Sequence, residues 1–343
     1  MSSGEEIPPR DPSRSEGLQR RAAGFAIFRG EGAPPAELAG AVAALGNFDG
    51  VHRGHRVLLD AACEEARKAR PPRPAVALTF EPHPRAYFAP DQPMFRLTGP
   101  AAKEIAFAHY GLDGLIEQRF DASLASLSPA EFVESLLKRR LGLSGVVIGH
   151  DFHFGRGRSG TPAILTDLCA GADLACRIVP AVSLKPGQQP ISSSGIRAAL
   201  GAGAVTEANA LLGYRWFVLG EVRHGEKRGR DLGFPTANLA LDSCGLAHGI
   251  YAVRMRLADG SLRNGVASYG RRPTFDNGAP LLETYLFDFS GDLYGQTVGV
   301  EFIGFIRGEE RFTSAEALVA RMHVDAAEAR AILAEDRVVS MLA

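Results

Sequence analysis

The sequence predicts an α/β doubly wound domain followed by a small β-barrel domain with a C-terminal helix. Three observations carry this reading. From about residue 24 to 200, short apolar runs alternate with amphipathic stretches, the pattern of parallel strands covered by helices on both faces. After Tyr214 the texture changes to short β-rich runs separated by turn residues. Two glycine-rich segments suited to phosphate, residues 46–55 and 229–238, fall one in each half.

In the first half the expected strands are residues 42–45, 75–80, 114–116, 145–149 and 177–180. The expected helices are residues 55–70, 101–110, 129–140 and 163–171, with a further helical stretch at 194–200. The small residues Gly201, Ala202, Gly203 and Ala204 mark the domain boundary, giving domains at 24–203 and 204–343 behind a disordered tail at 1–23. In the second half the β-rich runs are 216–222, 250–257, 262–269, 282–289 and 297–306. Asp259-Gly260, Asn277-Gly278 and Ser290-Gly291-Asp292 supply the turns, and an Ala- and Glu-rich helix starts near Ser314.

Composition bounds the function. At 343 residues the chain exceeds the ~250–300 residues at which single cores stop growing. A net charge of −1 gives no basic stripe for nucleic acid, so an anionic substrate must be held by local groups. Cys63, Cys169, Cys176 and Cys244 form no CxxC pair, which fits a reducing cytoplasm and no zinc. No apolar run approaches the ~18–20 residues that span a bilayer, and residues 1–22 lack a signal-peptide core. Composition therefore points to neither a nucleic-acid nor a membrane partner.

The first chemical signature is Gly46-Asn47-Phe48-Asp49-Gly50-Val51-His52-Arg53-Gly54-His55, leaving a strand for a helix. Glycines let backbone approach phosphate, and a helix start adds amide donors. His52 and His55 share one side of that start and suit the charge that builds on an attacked phosphate. The same pair also suits a metal, with Asp49 and His83, or a helix cap; the complete string favours nucleotidyl transfer. Thr79-Phe80-Glu81-Pro82-His83-Pro84 and the run from His150 through Asp151, Phe152, Phe154 and Arg158 belong at the same strand ends. Aromatics beside arginines suit an anionic aromatic ligand. Ser192, Ser193 and Ser194 with Arg197 read as an N-cap or as a triphosphate grip.

The second signature runs from Gly220 through Gly225, Gly229 and Gly233 into Phe234-Pro235-Thr236-Ala237-Asn238. It lacks the GK[ST] of a Walker loop. By itself it reads as a triphosphate cradle or as a hairpin turn with solvated charge.

Taken together, these motifs resemble the bacterial bifunctional riboflavin kinase/FMN adenylyltransferases, over about residues 24–341. The resemblance implies that the first domain is an HxGH nucleotidyltransferase joining the AMP part of ATP to FMN. In it His52 and His55 would stabilise the transition state. Gly46, Phe48, Asp49, Gly54 and the Ser192, Ser193, Ser194 and Arg197 segment would hold nucleotide. Glu81, His83, Asp151, Phe152 and Phe154 would face the flavin. It implies further that the barrel phosphorylates riboflavin, with Glu283 as base and Gly225, Gly229, Gly233, Thr236 and Asn238 on the nucleotide. Thr236 and Asn238 would also bind Mg²⁺, and Arg271 and Arg307 would meet the flavin. Gly195 and Ser268 depart from the family pattern. Riboflavin, FMN and the co-substrate ATP are the implied partners, with Mg²⁺ as cofactor and a monomer or weak homo-oligomer as the assembly.

Overall fold

The computed structural model describes residues 24–92, 94–185, 187–224, 233–241, 244–271 and 280–343. The predicted tail and the loop glycines Gly225 and Gly229 lie outside the described residues. Among the described residues no helix is long and apolar enough to cross a membrane.

The first half runs β1 (Ala26–Phe28), β2 (Val42–Leu45), α1 (Arg53–Lys68), β3 (Ala75–Glu81), α2 (Pro84–Phe88), α3 (Pro100–His109), β4 (Gly114–Arg119), α4 (Ala122–Ser126) and α5 (Pro129–Glu131). A π-wound helix over Phe132–Arg140 continues α5, followed by β5 (Gly145–Gly149), α6 (Pro162–Gly171), β6 (Ala175–Val179) and α7 (Ser193–Gly201). The six strands form one parallel sheet in the order β1-β4-β3-β2-β5-β6. Local signals set the helix starts. Ser128 and Glu131 make a reciprocal capping box with Pro129 in the first turn, and Thr161 caps α6 ahead of Pro162. Helix α1 buries Leu58, Leu59, Ala62 and Ala66, a stripe at helical spacing. The three-residue edge strand β1 is too short to carry a period in the sequence.

Helix α8 (Val205–Leu212) follows the small-residue segment and contacts both α7 and the last barrel strand. The second half then runs β7 (Phe217–Arg223), β8 (Thr236–Ala240), β9 (Gly249–Arg256), β10 (Leu262–Arg271), β11 (Pro280–Leu286), β12 (Thr297–Arg307) and α9 (Ala315–Glu335). The strands close an antiparallel barrel in the order β10-β11-β8-β7-β12-β9, which leaves no open edge. Strand β8 was hidden in the sequence because Thr-Ala-Asn-Leu-Ala has weak β propensity and pairs only through its neighbours. Helix α9, capped by Ser314, lies on the outside of the barrel and buries Asp325, Ala329 and Leu333.

The two halves share a continuous core. Buried side chains of one sheet face run through Ile196, Leu212, Tyr214 and Trp216 into the barrel interior at Tyr251, Val253 and Phe302. Trp216 Nε1 donates to Leu97 O at 2.9 Å, and Phe95 meets the indole edge-on at 5.7 Å.

Two candidate active sites

The loop from β2 to α1 sits where the strand order reverses, because β2 pairs with β3 on one side and β5 on the other. Open α/β sheets bind ligands at such a point, outside the carboxyl ends of the strands. Thr79 Oγ1 donates to Asn47 O (3.3 Å) and Gly46 N to Leu78 O (3.2 Å), tying the loop to the end of β3. Phe48, Gly50 and Val51 then take φ of 49°, 93° and 36°. A non-glycine residue in that region costs roughly 1–3 kcal/mol, so the turn persists only where its surroundings over-determine it.

They do. Thr98 Oγ1 accepts from Gly50 N (2.9 Å) and donates to Phe48 O (3.3 Å), while Thr98 N donates to Asp49 Oδ1 (3.0 Å). Arg197 Nη2 pairs with the other Asp49 oxygen, and Ser193 Oγ donates to Asp49 O (2.7 Å). Asp49 is thus 1 % exposed and serves as the hub that fastens α7 to the loop. Arg197 Nε also donates to Phe95 O (2.6 Å). The expected nucleotide residues are brought together, with Asp49, Ser193 and Arg197 engaged with one another. Ser192 caps α7, its Oγ accepting from Gly195 N (3.2 Å), and Ser194 is exposed in the first turn.

His52 caps α1, its Nδ1 accepting from His55 N at 3.2 Å, and the two rings stack at 3.7 Å with 13° between planes. An accepting Nδ1 leaves the imidazole proton on Nε2. Capping and catalysis are therefore compatible in this residue, because they use different ring nitrogens. Among the described residues His55 Nδ1 is buried with no hydrogen-bond partner, and its ring meets Phe48 edge-on at 5.3 Å. The loop glycines also have a packing role. A Cβ on Gly54 would lie 3.1 Å from the His52 ring, and one on Gly46 would lie 3.2 Å from the Phe48 ring. These two glycines seat the rings; Gly50 supplies the left-handed turn.

Burial lowers the His52 pKa to about 4 against a raising influence from Asp49, and lowers His55 well below its ordinary value. Burial likewise lowers His83 to about 4. Burial thus keeps His52 neutral at neutral pH in the free protein, so its N–H dipole, not a positive charge, is what it offers. The sign for stability follows. The unfolded imidazole protonates near 6.5 and the folded one near 4, so stability is full above about pH 6.5 and is lost as pH falls towards 4. For His52 this makes the fold roughly 2 kcal/mol less stable at pH 5 than at pH 7. Urea melts of His52→Asn at both pH values should show a shallower pH slope than the parent. Equal slopes would remove His52 from the account.

Glu81 forms a two-point ion pair with Arg96 (2.5 and 2.9 Å), and His83 caps α2 through Nδ1 (3.1 Å from Arg85 N). Asp151 is exposed. Phe152 is half-buried, whereas Phe154 lies in the core against Phe132 at 5.1 Å, so these two aromatics do not present equivalent faces. Among the described residues, no three His, Cys, Asp or Glu gather as a metal group. Sequence reasoning did not reach Thr98, Arg96 or Lys103. Lys103 is fully buried with Nζ donating to Thr79 Oγ1 (3.3 Å), and burial lowers its pKa to about 8. Thr98-Gly99-Pro100 does announce a helix start, but not the loop that Thr98 clamps.

The second site is built by strand register. Asn238 pairs with Glu283, Glu283 with Ser268, Ser268 with Ile250, and Ile250 with Arg307. Directly paired residues point to one face, so this row crosses five strands on the outside of the barrel. Thr236 shares the face two residues before Asn238. The row and α9 enclose a cavity of about 1070 Å³, lined in part by Thr236, Asn238, Ser268, Glu283, Arg307 and Asp325. Arg307 is held by a two-point ion pair with Asp325 of α9 (2.8 and 2.7 Å). Arg271 is exposed at the end of β10 and does not line the cavity. Gly233 has φ of 82° at the foot of the loop that enters β8. Among the described residues Asn238 Oδ1 is buried without a hydrogen-bond partner, an acceptor that suits a hard cation.

Comparison with known proteins agrees with this division. Residues 35–195 match the FAD synthetase family model and residues 212–333 the riboflavin kinase model. The bifunctional riboflavin kinase/FMN adenylyltransferase of Escherichia coli strain K12 is 38 % identical over 292 residues, covering 85 % of this chain and 92 % of that protein. That of Pseudomonas fluorescens is 39 % identical over 298 residues, covering 86 % and 94 %. That of Bacillus subtilis strain 168 is 36 % identical over 299 residues, covering 85 % and 92 %. A crystal structure described as a macrolide-efflux protein from Streptococcus pneumoniae superposes with a TM-score of 0.76 at 32 % identity, covering 87 % of this chain and 97 % of that one.

Proposed function

This chain belongs to the family of bifunctional riboflavin kinase/FMN adenylyltransferases, and we propose that its two reactions run at separate sites, one in residues 24–203 and one in 204–343. The chain phosphorylates riboflavin to FMN with ATP and adenylylates FMN to FAD with a second ATP, releasing pyrophosphate. The observation that carries the division of labour is that each set of polar residues is assembled by its own sheet. One is the loop after β2; the other is the row across the barrel.

At the first site a phosphate oxygen of FMN attacks the α-phosphorus of ATP and pyrophosphate leaves. Charge grows on the non-bridging oxygens, and His52 meets it through its Nε2 proton, with His55 stacked beside it. The amide end of α7 with Ser192 and Ser194 holds the triphosphate, while Arg197 and Ser193 keep the loop in place through Asp49. Phe152 and the segment around Glu81 and His83 border the flavin. At the second site Glu283 accepts the proton of the ribityl 5′-hydroxyl as that oxygen attacks the γ-phosphorus and ADP leaves. Arg307 borders the flavin in the cavity between barrel and α9. The Asn238 Oδ1 acceptor and Thr236 fit Mg²⁺, which supplies charge neutralisation at the ATP phosphates. ATP consumption by both reactions supports a cytosolic location.

The test is chromatography of the products formed from riboflavin and ATP. With Mg²⁺ present, FMN should appear first and FAD after it, and excess EDTA should lower both rates by at least about a hundredfold, as expected when metal carries phosphate charge. FMN with no FAD, even when FMN is supplied directly, would defeat the two-site reading. Turnover that survives EDTA would defeat the metal assignment.

A further inference from the structure

His52 is gripped from both sides by one short segment of the kinase half. Before it, Gly50 O accepts from the buried Tyr214 hydroxyl at 2.7 Å. After it, Arg53 Nε donates to Ala210 O at 2.8 Å, where α8 is ending. Gly213 then turns the chain with φ of 87°, and a Cβ there would lie 2.9 Å from Arg53 Cγ, so only glycine lets Arg53 lie so close. The Gly50 carbonyl and the Val51 amide belong to one planar peptide, so fixing the oxygen fixes the orientation at which the chain enters Val51 and then His52. That peptide needs fixing, because it joins two residues with positive φ, one of them β-branched. Val51 N reaches Phe48 O only at 3.4 Å, a weak internal tie.

We propose that Tyr214, a residue of the kinase half, is a positioning residue for adenylyl transfer, its hydroxyl holding the turn that presents His52. The barrel half is then part of the transferase as well as a kinase in its own right. The proposal rests on the reading of residues 46–55 as the adenylyl-transfer loop. Removing the hydroxyl leaves a buried carbonyl unpaired in a strained turn, which frees the peptide to rotate. Misplacement of a transition-state donor lowers turnover more than ground-state binding.

The experiment is Tyr214→Phe in the full chain, with both reactions measured well below the melting midpoint. FMN adenylylation should lose about tenfold in kcat, with the KM for FMN within about twofold of the parent, while riboflavin phosphorylation keeps its kcat within about twofold. A loss of less than about threefold in adenylylation kcat overturns the proposal, as does an equal loss in both reactions, which would make Tyr214 a general stabiliser. Arg53→Ala removes the second tie and should shift the same parameter in the same direction. His52→Ala in the same assay separates the two claims: if it retains adenylylation, the reading of the loop fails, whatever Tyr214→Phe does.

Discussion

His52→Ala is expected to lower the conversion of FMN to FAD by about 10²–10³-fold, the usual consequence of removing one preorganised transition-state donor. Riboflavin should still be converted to FMN, which then accumulates. The size of the effect follows from the position of the ring. His52 is 6 % exposed, stacked on His55 and seated against Gly54, so alanine removes the donor, the helix cap and the stacking partner together. The cap alone contributes only about 1 kcal/mol, too little to account for a loss of that size in a folded protein. Melting curves of the variant separate the two contributions. Simultaneous loss of FMN formation in a folded variant would mean that the two sites are not independent.

Glu283→Ala is expected to lower riboflavin phosphorylation by about 10²–10⁴-fold, the range for a missing general base, while supplied FMN is still converted to FAD. Its two register partners cannot replace it. Asn238 and Ser268, paired with Glu283 on either side, carry no group that is basic at neutral pH. Glu283→Gln keeps the shape and should be as inactive as alanine. Phosphorylation by the glutamine variant within tenfold of the parent would mean that Glu283 positions riboflavin and does not take its proton.

Much of the site was legible in the chain. The string Gly46 to His55 marks the candidate transferase loop because strand end, glycine turn and helix start are local features, decided within ten residues. Thr236, Asn238 and Glu283 were expected through resemblance, and the barrel brings them to one face: β8, weak in propensity, becomes a strand only through its pairing with β11 and β7. Phe154 shows the limit in the other direction. An aromatic in a glycine- and arginine-rich loop reads as a stacking surface, yet its ring fills the core beside Phe132.

By itself, then, the sequence determined the two architectures, the order of the halves and the candidate loops for phosphate, since period, turn chemistry and loop motifs are short-range properties. Only the tertiary structure decided which residues hold those groups still. Thr98 and Tyr214 clamp a loop 48 and 164 residues away, and Asp325 fixes Arg307 from a helix on the outside of the barrel. Such partners leave no periodic trace, because their geometry is set by packing between elements and not by spacing along the chain.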